Sequence, residues 1–181
     1  MIKDTLLFIW EIAKVVAIAL LIVVPIRYFI FQPFLVSGQS MEPNFSNGDY
    51  LIIDEISYRF QSPKRGEVIV FKYPDDPSQR YIKRIVGLPG ETIEIKDGTI
   101  IIYNRERNQI LNELSYLSSL QTPGDILIAL DYNEYFVLGD NRFASSDSRR
   151  WGPLPKEDII GRVFLRAWPF VALAKIEVPS Y

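Results

Sequence analysis

The segment RYIKRIVG, residues 80–87, predicts a β-strand that carries two adjacent basic side chains in an apolar setting. Successive side chains of a strand point to opposite faces. This places Lys83 with Tyr81 on one face, and Arg84 with Ile82 on the other. Alternation does not say which face is the inner one. Lys83 is therefore either an exposed strand charge or an amine buried in a β core.

Similar short runs of β-branched and aromatic residues recur from residue 34 onward, separated by Gly and Pro turns. The Asp97-Gly98 pair between two such runs indicates a type I′ hairpin. The pattern predicts a mainly β protein built on antiparallel sheets. Residues 104–120 are the exception, because polar residues with spaced leucines fit either one or two helical turns or a surface excursion. Further strands are predicted at residues 50–53, 68–71, 81–86, 92–95, 126–130, 135–138 and 163–168.

Residues 6–31 are mostly apolar, and this stretch reaches the roughly 20 residues that a helix needs to cross a bilayer. We expect one N-terminal transmembrane helix, with residues 1–31 as a membrane anchor and residues 32–181 as a β-rich domain. The Gln32-Pro33 pair marks the boundary, because proline disfavours helix at the residue before it. A buried helix and a cleaved signal peptide are the alternatives. No small-x-small cleavage site follows the apolar run, which favours a retained anchor.

The composition removes several kinds of chemistry. The chain has no His and no Cys, which excludes a Ser-His-Asp triad, a cysteine nucleophile, a disulfide and a zinc site built from His or Cys. We expect no metal and no cofactor. The formal charge of -2 argues against nucleic acid as the main partner. A serine hydrolase with this composition must use a carboxylate or a lysine as its base.

The segment SGQSMEP, residues 37–43, offers a candidate serine, Ser40, beside a glycine that permits close backbone approach. Gly38 suits a loop whose backbone N–H groups point at a developing negative charge. A lysine acts as a base only when it is neutral, and burial lowers its pKa from about 10.4 toward that condition. Lys83 is the best candidate for such a lysine. Taken alone, Ser40 also fits an ordinary loop serine.

A third segment follows the strand predicted at residues 135–138. It begins with Gly139-Asp140-Asn141-Arg142 and continues with hydroxyls and charges over residues 145–149. Such a segment fits a hydrogen-bonded loop or a set of groups that support a catalytic lysine.

The order of these parts is informative. An apolar anchor, then Ser40-Met41, then residues 81–91 and then residues 139–152 closely resembles the type I (leader) signal peptidases of bacteria and organelles, a serine–lysine dyad family. The resemblance extends from the anchor to about residue 168. Phe143 departs from it, because members of the family often carry an acidic residue or asparagine there.

The resemblance implies roles for particular residues. Ser40 would be the nucleophile and Lys83 the general base, kept neutral by burial. The backbone N–H of Ser40, with a group at Gly38, would bind the oxyanion. Supporting roles would fall to Ser145, which orients the lysine, to the ion pair of Asp147 and Arg149, and to Asp140. Met41, Tyr81 and Ile82 would border a groove for an extended peptide, with pockets that admit only small side chains.

The resemblance also implies an activity. The chain would be a membrane-bound serine endopeptidase that cleaves N-terminal signal peptides from exported preproteins after small residues, in an Ala-x-Ala pattern. Its partners would be preproteins and a lipid bilayer. It would lie in a plasma or thylakoid-type membrane as a single-pass protein, with the catalytic domain on the extracytoplasmic face. The alternatives are a related serine–lysine autoprotease and a tethered β domain that binds peptides without cutting them.

Overall fold

The computed structural model describes residues 2–29, 31–104, 108–117, 119, 121–170, 173–176 and 178–179, and within the first helix it describes the side chains of residues 5 and 7–21. Helix α1 covers Ile2–Phe29, so the N-terminal helix is confirmed. Its described apolar side chains are mostly exposed, and Lys14 pairs with Glu11 at 2.7 Å. Within the described residues, none of the helices combines the length and the hydropathy that a bilayer crossing requires.

The rest of the described chain is mainly antiparallel β-structure, as predicted. The strands are β1 (Phe31–Leu35), β2 (Tyr50–Asp54), β3 (Val68–Tyr73), β4 (Asp76–Gly87), β5 (Thr92–Lys96), β6 (Thr99–Tyr103), β7 (Asn108–Ile110), β8 (Ile126–Ala129), β9 (Glu134–Leu138), β10 (Leu154–Pro155), β11 (Ile159–Trp168) and β12 (Ala174–Lys175). Short helices are α2 (Ser57–Phe60), α3 (Ser148–Trp151) and a 3₁₀ turn at Lys156–Asp158.

The strands form two sheets. The larger has the order β1-β2-β11-β3-β4-β9-β10, with β12 added to β11, and the smaller has the order β7-β6-β5-β8. All the predicted strands are present, although β4 begins at Asp76 and not at Tyr81. Strand β1 was not predicted because it contains Pro33, which an edge strand tolerates since one side of it makes no ladder.

The hairpin between β5 and β6 is confirmed. Asp97 and Gly98 have φ angles of 51° and 78°, the pair of positive values that a type I′ turn requires. Residues 104–120 form no helix in their described part. They contain β7, which pairs with β6, and a turn that begins at Leu114.

Strand β4 connects the hydrophobic cores, and this explains why its alternation could not identify an inner face. Ile82 belongs to the core beside β2 and β11, Ile85 to the core beside β9, and Val86 to the core under the smaller sheet. Both faces of β4 are therefore buried from Ile82 onward. At Gly87 a Cβ atom would come within 2.8 Å of Ile93 and Phe136, so glycine lets the two sheets pack closely.

We predict that Ile93→Ala lowers the free energy of unfolding by about 2–5 kcal/mol, because it leaves a cavity in the core under the smaller sheet. Ile93 is fully buried there. Leu127 on the adjacent strand β8 is 71% exposed, so Leu127→Ala is the matched control and should change stability by less than about 0.5 kcal/mol. Urea denaturation measures both. Equal losses would contradict this assignment of the core.

Candidate active site

The structure brings Lys83 and Ser40 together. Lys83 Nζ lies 2.8 Å from Ser40 Oγ and 2.8 Å from the carbonyl oxygen of Ile82, to which it also donates. Lys83 is only 3% exposed, so its stem is packed in the core and its amine lies at the base of the Ser40 loop. The two residues are 43 positions apart in sequence and come into contact only in the folded chain.

Burial changes the acidity of this lysine. Removal from water disfavours the ammonium form and lowers the pKa of Lys83 to about 8, although the nearby carboxylates of Asp147 and Asp140 partly oppose the change. With that pKa, about a tenth of the amine is neutral at pH 7 and most of it above pH 8. A neutral amine 2.8 Å from a hydroxyl is placed to accept its proton.

The Ser40 loop is held by backbone contacts. Asn141 donates its backbone N–H to the Ser40 carbonyl at 3.0 Å and its side chain to the Gln39 carbonyl at 3.2 Å. Gly38 has a φ of 90°, a conformation that favours glycine. Its N–H donates to Asn47 Oδ1 at 2.9 Å, whereas the Ser40 N–H has no partner among the described residues. Ser40 N–H is thus the available donor for a negatively charged oxygen.

Gly139 allows the two loops to meet. A Cβ atom at this position would collide with the Ser40 carbonyl oxygen and with the Ser145 side chain, so any larger residue would separate the two loops. Ser145 Oγ is buried and has no hydrogen-bond partner in the described part of the protein. The hydroxyl predicted to orient Lys83 therefore lies against Gly139, beside the Ser40 loop, and makes no bond to the lysine here.

Asp140 forms a buried ion pair with Arg84. Arg84 Nε donates to Asp140 Oδ1 at 2.8 Å and Arg84 Nη2 to Oδ2 at 2.6 Å. The side chain of Asn44, from the Ser40 loop, also donates to Asp140 Oδ2, at 2.8 Å. Asp140 thus links the loop of Ser40 to the residue next to Lys83.

Asp147 and Arg149 form the predicted ion pair. Arg149 Nε and Nη2 each lie 2.8 Å from one carboxylate oxygen of Asp147, which is fully buried. Asp147 also accepts the backbone N–H of Gly139 at 3.1 Å and caps helix α3 through the N–H of Arg149. The pair therefore positions both ends of the loop that packs on Ser40.

Sequence reasoning missed the part that Glu113 and Tyr116 play. Glu113 pairs with Arg142 at 2.6 Å in the interior, and Arg142 Nε donates to the Gly139 carbonyl at 2.9 Å. The carbonyl of Tyr116 accepts from Asn44 at 2.9 Å, and its ring lies 4.1 Å from the guanidinium of Arg84. The sequence holds no local signal for these contacts, because the burial that makes the charges require partners is visible only in the fold.

A groove of about 560 Å³ runs past Ser40 and Lys83. Tyr81 and Ile82, which the sequence analysis placed at a peptide groove, line it, whereas Met41 does not: it is 1% exposed and packs in the same core as Ile82. Among the described strands, β9 pairs with β4 only from Arg84 onward, so the preceding residues of β4 present an unpaired edge to the groove. The remaining lining comes from three groups: residues 34–35 and 37–39, residues 79–80, and Ala144 with Ser146.

Burial of Lys83 predicts a pH dependence of stability. Its pKa falls from 10.5 in the unfolded chain to about 8 in the folded one, so between these values the unfolded chain binds more protons and stability rises with pH. Relative to Lys83→Met, the wild type should gain about 2 kcal/mol between pH 8 and pH 10, measured by urea denaturation. Lys96→Met, which removes an exposed lysine, controls for loss of charge. A difference that does not change with pH would contradict a buried amine.

The comparisons with known proteins agree on one family. The model for signal peptidase, peptidase S26, matches residues 9–168. A probable signal peptidase I-2 of Synechocystis sp. is 35% identical over 167 residues, covering 88% of this chain and 73% of its own length. A signal peptidase I of Leptolyngbya laminosa is 35% identical over 179 residues, covering 93% and 84%.

Among solved structures, a signal peptidase I from Enterococcus faecalis has a TM-score of 0.47 and 31% identity, covering 57% of this chain and 97% of that chain. The resemblance carried by the three motifs is confirmed by the family model and by the Synechocystis and Leptolyngbya relatives. Because both extend over most of the sequence, the chain belongs to the signal peptidase family, peptidase S26.

Proposed function

We propose that this chain is a membrane-bound serine endopeptidase that removes N-terminal signal peptides from exported preproteins, with Ser40 as nucleophile and Lys83 as general base. Membership of the signal peptidase family supports the substrate class. The contact that carries the assignment is the 2.8 Å hydrogen bond between buried Lys83 Nζ and Ser40 Oγ. In a chain without His or Cys, this arrangement provides a hydroxyl nucleophile with an adjacent base.

The reaction proceeds in two halves. Neutral Lys83 takes the proton of Ser40 as Oγ attacks the scissile carbonyl, and the resulting ammonium then protonates the leaving amine. An acyl-enzyme remains, and Lys83, neutral again, activates the water that hydrolyses the ester. The Ser40 N–H stabilises the oxyanion in both halves. Gly38 adds a second donor only if its N–H leaves Asn47, to which it donates at 2.9 Å.

The groove fits an extended peptide that adds to the unpaired edge of β4. Main-chain hydrogen bonds to a strand edge give affinity, and alternate side chains of the peptide point into the floor. Tyr81 borders that floor, and Ile82, which belongs to the same core as Met41, contributes to it. A floor closed by buried side chains leaves room only for small residues, which supports cleavage after an Ala-x-Ala pattern.

Residues 1–31 are proposed as the membrane anchor and residues 32–181 as the extracytoplasmic catalytic domain, in a single-pass arrangement in a plasma or thylakoid-type membrane. The length of α1 (28 residues) and its exposed apolar side chains support this proposal. An anchor confines enzyme and preprotein to one plane and so raises their effective concentration.

The first prediction from this proposal concerns cleavage. Purified protein should cut a preprotein with an Ala-x-Ala site, Ser40→Ala should lower kcat/KM about 10⁴-fold or more, and Lys83→Met about 10²–10⁴-fold. Below pH 8 the wild-type kcat/KM should rise about tenfold per pH unit and then level off, because only neutral Lys83 accepts the proton. Folded wild type that binds the peptide without cutting it would favour the peptide-binding alternative. Cleavage by all three proteins would mean that the site is misassigned.

The second prediction concerns the anchor. Full-length protein should remain with the membrane fraction after carbonate washing, whereas a chain without residues 1–31 should be released, because the apolar helix supplies most of the membrane affinity. Protease added from outside should degrade residues 32–181 and leave a protected N-terminal fragment. Complete release of the full-length protein would exclude a membrane anchor.

A further inference from the structure

A second pocket lies beside the Ser40 loop and is not used by the mechanism above. Its volume is about 340 Å³. Glu42, Pro43, Asn141 and Phe143 lie along it, with Leu117 and Gln121 from the segment that follows β7. None of these residues has a role in the two proton transfers.

The groove and this pocket are bordered by the same two loops of the site. On the Ser40 loop, residues 37–40 line the groove and residues 42–43 line the pocket. On the opposite loop, Ala144 and Ser146 line the groove, whereas residues 140–143 line the pocket. The two loops touch at the bond from the Asn141 N–H to the Ser40 carbonyl. Ser40 lines the groove, and the lining of the pocket begins two residues further along its loop.

The pocket has a negative charge that the protein does not neutralise. Two of its charged wall residues are paired internally, Asp140 with Arg84 and Arg142 with Glu113. Glu42, half-buried at the pocket, has no ion pair among the described residues. A positively charged group entering the pocket would thus meet one carboxylate that has no competing cation.

Phe143 gives the pocket an apolar border. It is 72% exposed, and no core cluster of the described residues includes it. A large aromatic side chain left in solvent beside an active site gains by covering a bound chain. Together with Glu42, it defines a surface that suits apolar and basic side chains and disfavours acidic ones.

We propose that this pocket binds the first residues after the scissile bond, at the start of the mature protein, and that Glu42 and Phe143 make it prefer basic and apolar side chains over acidic ones. The inference rests on the proposed function, because a peptide with its signal-peptide side in the groove and its scissile carbonyl at Ser40 extends past the contact between the two loops, and this pocket lies next to that contact. The enzyme then reads both sides of the cleavage site.

The test uses two peptides that are identical through the Ala-x-Ala site and differ only at the second and third residues after the cut, Lys-Lys in one and Glu-Glu in the other. The full-length enzyme should cut the Lys-Lys peptide about five- to tenfold faster in kcat/KM at low salt, and the ratio should shrink as salt screens the pair. Glu42→Gln should bring the ratio close to one. Two further peptides carry Leu-Leu or Ser-Ser at the same positions. The wild type should cut the Leu-Leu peptide faster than the Ser-Ser peptide, and Phe143→Asn should remove this difference.

Glu157→Gln is the matched control, because it removes one exposed carboxylate outside this pocket and changes the net charge equally. It should keep the wild-type ratio. Equal cleavage of the two charged peptides by wild type, or an unchanged ratio in Glu42→Gln, would overturn the inference and leave the proposed function standing. A wild-type enzyme that cuts no peptide would refute the proposed function itself. In that case Ser40→Ala protein that binds both uncut peptides with equal affinity would refute the pocket separately.

Discussion

A lysine amine buried beside a serine hydroxyl is the constraint on which the rest of this structure depends. Keeping Lys83 out of water lowers its pKa to about 8, and that shift corresponds to about 3 kcal/mol at neutral pH. The surrounding packing has to offset this cost. Strand β4 contributes side chains to three hydrophobic cores, so the buried amine of Lys83 lies in a strand that is packed on both faces.

Two buried ion pairs flank this lysine without touching it. The Arg84–Asp140 pair joins β4 to the Ser40 loop through Asn44, and Asp147 holds the backbone of the loop that packs on Ser40. Buried pairs contribute little net stability, because desolvation cancels most of their attraction. Their contribution is positional: each carboxylate bonds to more than one chain segment and so fixes where the loops lie relative to Lys83.

Much of this arrangement could be predicted from the sequence. The strands follow from local alternation, and the serine and lysine from their motifs. The burial of Lys83 could not be predicted, because both faces of β4 are covered by segments distant in sequence. The partners of Arg84 and Arg142, which are Asp140 and Glu113, lie 56 and 29 positions away, and no local pattern specifies such pairs. The Glu113 contact also explains why the described part of residues 104–120, for which the sequence allowed helical turns or a surface excursion, has a defined place in the fold.

The register between β3 and β4 has a consequence for how the family can change its sequence. Lys83 is opposite Ile69 and Arg84 is opposite Val68, and the two basic residues face opposite sides of the strand. Deleting one residue of β4 before Lys83 would bring the guanidinium of Arg84, which never loses its proton, against Ser40 and leave Asp140 facing an apolar side chain. Inserting one there would move the amine to Asp140 and leave an apolar side chain beside Ser40. Length variation is therefore expected to be rare in β4 and to accumulate in the chain around β7, where added residues extend outward and leave the pairing of Lys83 intact.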